Sequence, residues 1–242
     1  MAVRRYAAFD IETAALSVEG QDWRHARPLG ITCAAIALCD TEMPETYHGG
    51  ALIAPTPRMT QSEAAALVDR LIALTAAGYD IVAWNGAGFD FDVLAEESGR
   101  HADCVALATA HIDPMFHVLC AKGFPVGLDA VARGMGIAGK PEGMSGGLAP
   151  AMWRDGRIAD VLTYVAQDAR VTLALIQSCE AAGALRWISQ RGKLNILPLP
   201  HDGFCTVAQA REMPLPDTSW MSGAPMLTRE GVLEWMGPRA GA

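Results

Sequence analysis

Up to about residue 54 the sequence reads as three strand-like runs, and from Thr60 onward helices alternate with strands. This change limits the fold more than any other feature. Residues 5–11, Arg-Tyr-Ala-Ala-Phe-Asp-Ile, form an apolar run suited to a buried strand that ends in acid. Ile31 to Leu38, bounded by Gly30 and Asp40, reads as a second strand, and residues 46–54 as a weaker third. Their links suit antiparallel neighbours. Thr60-Gln-Ser-Glu63 then has the spacing of a capping box, and Ala66, Leu67, Leu71, Ile72 and Leu74 continue at helical spacing to a stop at Gly78.

The rest of the chain alternates. Asp80–Trp84 reads as a strand, a helix begins near Gly88 or Phe89, and a short strand ends at Asp113 ahead of a helix from Met115. Leu128–Met135 is a further helix, followed by a Gly-rich loop over residues 136–147. The longest helical pattern is Ile158–Ala182, with Val161, Leu162, Val165, Ala169, Leu173 and Ile176 on its apolar face. Trp187-Ile188 and Leu194–Leu199 read as a hairpin, and the prolines beyond it predict an irregular wrap. The expectation is an α/β domain over residues 1–183, with an extension over residues 184–242 packed on it.

Composition sets outer limits. With 51% hydrophobic and 19% charged residues the chain can bury a sizeable core. No apolar run reaches a membrane span and the N-terminus lacks a signal peptide's apolar stretch, so a soluble cytoplasmic protein without a membrane partner is expected. The six cysteines form no CxxC pair and read as reduced packing residues. A net charge of −8 argues against a broad basic surface that coats nucleic acid. It leaves room for an enzyme whose bound cations meet the phosphate.

Three acidic motifs stand out. Asp10 and Glu12 lie two residues apart at a strand end, which turns both side chains to one face of the sheet. Asn85-Gly-Ala-Gly-Phe89-Asp90 joins a buried strand to a helix start, where a carboxylate is favoured by unpaired amides. Tyr164 and Asp168 share one face of the long helix at i and i+4. Taken singly, each has a plainer reading: solvent-facing acids, an N-cap, and a surface Asp beside a half-buried Tyr.

Together and in this order the motifs resemble those of the DEDD exonuclease superfamily, whose fold is ribonuclease H-like with a mixed five-stranded sheet flanked by helices. Tyr-x-x-x-Asp resembles the DEDDy branch; the DEDDh branch has a His five residues before its last Asp, where this chain has Thr163. The resemblance covers roughly residues 5–180. Asp113-Pro-Met-Phe116, Leu128–Ala132 and the tail around Pro214–Trp220 are similar to stretches of predicted bacterial exonucleases related to the proofreading domain of family-B DNA polymerases. Asp113 and Asp129 themselves read as helix caps.

The resemblance implies a 3′–5′ exonuclease that releases nucleoside monophosphates from single-stranded DNA or RNA 3′ ends. Two divalent cations, Mg²⁺ or Mn²⁺, would be held by Asp10, Glu12, Asp90 and Asp168, about 3.5–4 Å apart. Asp10 would bridge them, Glu12 and Asp168 would favour the one carrying the nucleophile, and Asp90 would act through the other. Tyr164 would orient the attacking water, and Thr13 would meet the 3′ hydroxyl. Asn85 is a substrate-side candidate that chiefly pins its turn. Trp153 is the aromatic residue expected to stack on a base, ahead of Trp84, Trp187 and Phe124. Arg133, Lys140, Arg154 and Arg157, or Arg186, Arg191 and Lys193, are candidate phosphate contacts. The rival readings are a silent binding module on the same fold and a hydrolase of nucleotides or short oligonucleotides.

Overall fold

The computed structural model describes residues 4–15, 22–53, 56–138, 146–221 and 227–237. In chain order its elements are β1 (Arg5–Thr13), β2 (Ile31–Leu38), β3 (Glu45–His48), β4 (Ala51–Ile53), β5 (Thr56–Arg58), α1 (Gln61–Ala76) and β6 (Tyr79–Val82). There follow α2 (Asp90–Ser98), α3 (His101–Ala110), α4 (Pro114–Lys122), α5 (Leu128–Met135), α6 (Ala149–Arg154) and α7 (Ile158–Ala182). The hairpin β7 (Ala184–Ile188) and β8 (Leu194–Pro198) and two short helices, α8 (Val207–Arg211) and α9 (Arg229–Leu233), complete it.

The main sheet runs β3-β2-β1-β6, antiparallel except for the parallel β1–β6 pair. Among the described residues four strands form it, one fewer than expected. The segment expected as a strand before Asp113 contributes one parallel bridge, Val82 to Ile112, because α4 starts two residues later with Asp113 as its cap. The expected third strand over 46–54 divides: β3 stays in the sheet, and β4 turns away to pair with β5.

Alternation along β1 and β2 sorts the residues onto two faces. Phe9 and Ile11, with Ile36 on β2, bury against α1 and α2, where Phe91 packs on Phe9 at 5.7 Å between centroids. The opposite face carries Ala8, Cys33, Ala35 and Ala37, and it receives Val161, Val165 and Ala169 of α7. Small residues there let the 25-residue helix lie close to the strands, which is what brings its polar residues to the end of β1. The capping box is present: the Thr60 amide donates to Glu63 Oε2 at 2.7 Å, and the Glu63 amide donates to Thr60 Oγ1 at 3.3 Å. Among the described residues no helix is long and apolar enough to cross a membrane. No disulfide joins the six cysteines.

The chain after Gly183 is more regular than its prolines predict, with a hairpin and two short helices. The hairpin stands against α5, where Gly134 is flush with β7: a Cβ there would overlap the Arg186 carbonyl and the Trp187 Cα. Gly134→Ala must therefore shift backbone. The expected loss is about 1–3 kcal/mol, read as a fall of several degrees in Tm. Gly127→Ala, which meets nothing within 4 Å, is expected to stay within about 0.5 kcal/mol of the parent.

Candidate active site

Asp10 and Glu12 project from the α7 side of β1, opposite Ala35 and Cys33 of β2. Asp168 comes down from α7. One carboxylate oxygen from each of the three lies within 4.8 Å of the others, with Glu12 and Asp168 buried at 7% and 4% exposure. Three acids this close repel one another across little water, and a divalent cation among them would offset that repulsion. The donor set is all oxygen, which suits a hard divalent ion.

Asp90 arrives by a different route. The turn from β6 to α2 places Asn85 at φ +67°, a left-handed conformation that Asn tolerates better than most side chains. Buried Asp113 clamps this turn: the Asn85 and Ala87 amides donate to its two oxygens at 3.1 and 3.0 Å, while the Phe116 amide donates to Oδ1 at 3.0 Å and starts α4. Asp113 is thus the helix cap the sequence suggests and also a latch. Asp90 then opens α2 and accepts the Ile11 amide at 3.2 Å, which ties it to β1 between Asp10 and Glu12. Asp92 points elsewhere, onto the Arg27 guanidinium.

Two residues behind this turn escape sequence reasoning. The Trp235 indole N–H donates to the Ala87 carbonyl at 2.7 Å, and buried Val232 lies against Gly88. Nothing in the local sequence points to either, since their partners are some 148 residues away.

These parts enclose a cavity of about 230 Å³, lined among others by Asp10, Glu12, Thr13, Trp84, Asn85, Asp90, Tyr164 and Asp168. Seven of the eight residues picked from the sequence therefore meet in one place. Trp153 does not. It is 1% exposed, packs on the α7 face of the sheet, and gives its indole N–H to the Pro57 carbonyl at 2.8 Å, so it has no ring face to offer a base. Trp84, ranked behind Trp153 as a stacking candidate, lines the cavity instead, together with Phe89 and Tyr164. Of the two basic groups, Arg157 pairs with Asp160, Lys140 lies outside the described residues, and none of the others lines this cavity.

A family model described as RNase_H superfamily (RNase_H_2) matches residues 7–179. The chain belongs to the RNase H superfamily. Among solved structures, the family B DNA polymerase from the hyperthermophilic archaeon Pyrobaculum calidifontis superposes with a TM-score of 0.53 at 18% identity, over 73% of this chain and 24% of that one. This chain thus spans about a quarter of the polymerase, and the likeness is one of fold. A product-bound exonuclease I aligns more loosely, with a TM-score of 0.44 at 16% identity over 74% of this chain and 43% of its own. No curated protein matches in sequence.

Within this RNase H-type fold, burial governs the acids. It pushes the Asp90 carboxyl up to about 7, against the pull of the Ile11 amide, and the Asp113 carboxyl up to about 6, against its amide donors. Burial, with the charges of Asp168 and Glu12, holds the Tyr164 hydroxyl far above its ordinary value, so it is a proton donor throughout the neutral range. Without metal, the native state holds protons on Asp90 and Asp113 that the unfolded chain has released. These two carboxyls therefore lose stability as pH rises from about 4 to 7, while buried His111 and His117, each lowered to about 4, lose it as pH falls over the same range, so the two slopes oppose each other. Divalent metal, which competes with those protons, is expected to raise Tm more at pH 8 than at pH 5.

Proposed function

We propose that this chain is a metal-dependent 3′–5′ exonuclease acting on single-stranded nucleic acid and releasing nucleoside monophosphates. The observation that carries the reading is the meeting of Asp10, Glu12 and Asp168 within 4.8 Å, in a cavity that Asp90 and Tyr164 also line. A binding module on the same fold has no need of such a costly concentration of buried acid.

Asp10, Glu12 and Asp168 would hold one divalent ion, and Asp10 with Asp90 a second; Mg²⁺ and Mn²⁺ both fit an all-carboxylate set. When bound, the ions supply charge neutralisation at phosphorus and a water of lowered pKa. The protein does the rest. Tyr164, fixed as a protonated hydroxyl on the helix that carries Asp168, orients the attacking water as a hydrogen-bond partner and is unsuited to act as its base. Gly146 and Gly147 bring the loop ahead of α6 over the same cavity, with a Cβ at Gly146 only 3.9 Å from the Tyr164 hydroxyl. Thr13, 8% exposed at the end of β1, lines the cavity and would meet the terminal sugar. Asn85 acts through the turn it shapes.

The deciding experiment uses 5′-labelled single-stranded DNA and RNA of one sequence, with Mg²⁺, Mn²⁺ or EDTA. A ladder shortening from the 3′ end is expected with either metal, and none with EDTA or in the Asp10→Ala variant. Intact oligonucleotides from folded wild-type protein under every metal condition overturn the reading. Tyr164→Phe is expected to lower kcat roughly a hundredfold through loss of orientation, leaving the metal concentration for half-activity unchanged. Its pH–rate profile should keep the wild-type shape below pH 9, since the hydroxyl does not titrate there.

A further inference from the structure

The structure gathers side chains that lie far apart in sequence into a second groove, outside the acidic cavity. Phe124, Asp129, Arg133, Trp187 and Arg191 line a recess of about 590 Å³ between α5 and the turn that joins β7 to β8. Arg133 belongs to the basic residues before the third acidic motif and Arg191 to those after it, so the fold merges two sets that looked separate. Both arginines are exposed, and neither has an ion-pair partner among the described residues. Asp129 sits in the first turn of α5, where the helix end absorbs part of its charge. Phe124 stands edge-on to Trp187 at 6.3 Å and to Trp220 at 5.9 Å, and Trp220 is 66% exposed.

Aromatic rings with unpaired guanidinium groups form a surface that takes bases on their faces and phosphates by charge, without regard to sequence. The groove and the acidic cavity share one apolar base: Trp84, which lines the cavity, packs on the same cluster as Phe124, Val126, Leu128 and Trp187. Gly134 keeps α5 flush on β7, so the groove's two walls are held rigidly together.

We propose that this groove binds the single-stranded segment on the 5′ side of the nucleotide being removed, with Arg133 and Arg191 on its phosphates and Phe124 and Trp220 against its bases. The proposal rests on the exonuclease reading for which end of the strand enters the cavity. It makes the protein a reader of strand length: a dodecanucleotide reaches both sites and a dinucleotide only one.

The test compares wild type with the surface variant Arg133→Gln/Arg191→Gln and with Trp220→Ala, all in exposed positions. In EDTA, binding of 5′-labelled oligothymidylate dodecamer is expected to weaken about tenfold or more in either variant. The logarithmic salt slope of the arginine variant should be shallower by roughly 1.4, the share of two single-strand phosphates. Dinucleotide binding should be unchanged. With Mn²⁺, hydrolysis of the p-nitrophenyl ester of thymidine 5′-monophosphate should also match wild type, because it needs the acidic cavity alone. Equal dodecamer affinity and salt slope in wild type and variants overturn the groove, as does wild-type binding that does not grow with strand length. If wild type hydrolyses neither ester nor oligonucleotide, the exonuclease reading falls, and the EDTA binding series still decides whether the groove takes single strands.

Discussion

Mutual repulsion among buried carboxylates is the constraint around which the molecule is arranged. Asp10, Glu12 and Asp168 are pressed within 4.8 Å of one another, and Asp90 lies a single backbone position away on the Ile11 amide. Bringing these acids together carries a cost in repulsion and desolvation, which the packing of the rest of the fold offsets. The alanine-lined sheet face brings α7 close, and the Phe9–Phe91 contact fixes α2 against β1. Asp113 converts three free amides into a fixed turn. The stability lost at the acids is offset by packing on both sides of β1, where one core cluster meets each face of the same strand.

The parts legible in the sequence are those that local chemistry determines. The bounds of α7 follow from its apolar spacing and from Gly183, which ends it at φ +61°. The α1 cap follows from Thr60 and Glu63. The acid pair on β1 shares one face because strand geometry leaves no other choice. Asp90 sits at a helix start because the glycines around residue 87 and the acid after them suit nothing else so well. Order along the chain then joins these local facts into one site, within the span of residues 7–179 that matches the RNase H superfamily.

What was not legible depended on partners distant in sequence. A Trp in a loop ahead of a helix looks equally apt for stacking or for burial. Only the position of β5, whose Pro57 carbonyl receives the Trp153 indole, makes it a core residue. Trp84 reads as the end of an apolar strand, yet the strand stops at Val82, and the ring turns to the cavity. α3 has apolar residues spread around its circumference, with no single stripe for periodicity to detect. The second half of the expected third strand leaves the sheet to pair with residues beyond it, a choice set by Thr56–Arg58 and invisible in 46–54 alone.

The bond from the Trp235 indole to the Ala87 carbonyl has a temporal meaning. A ribosome delivers Ala87 and the Asp90 turn early, and Trp235 only 148 residues later. Until then the back of that turn, where Val232 meets Gly88, is bare. Chains that fold as they emerge close local contacts first and distant ones last. The nascent chain therefore carries all four acids well before it has the last support for one of them. Final support for the acid-bearing turn is thereby coupled to the arrival of residues 232–235: a late segment acts as a timer on a turn laid down much earlier.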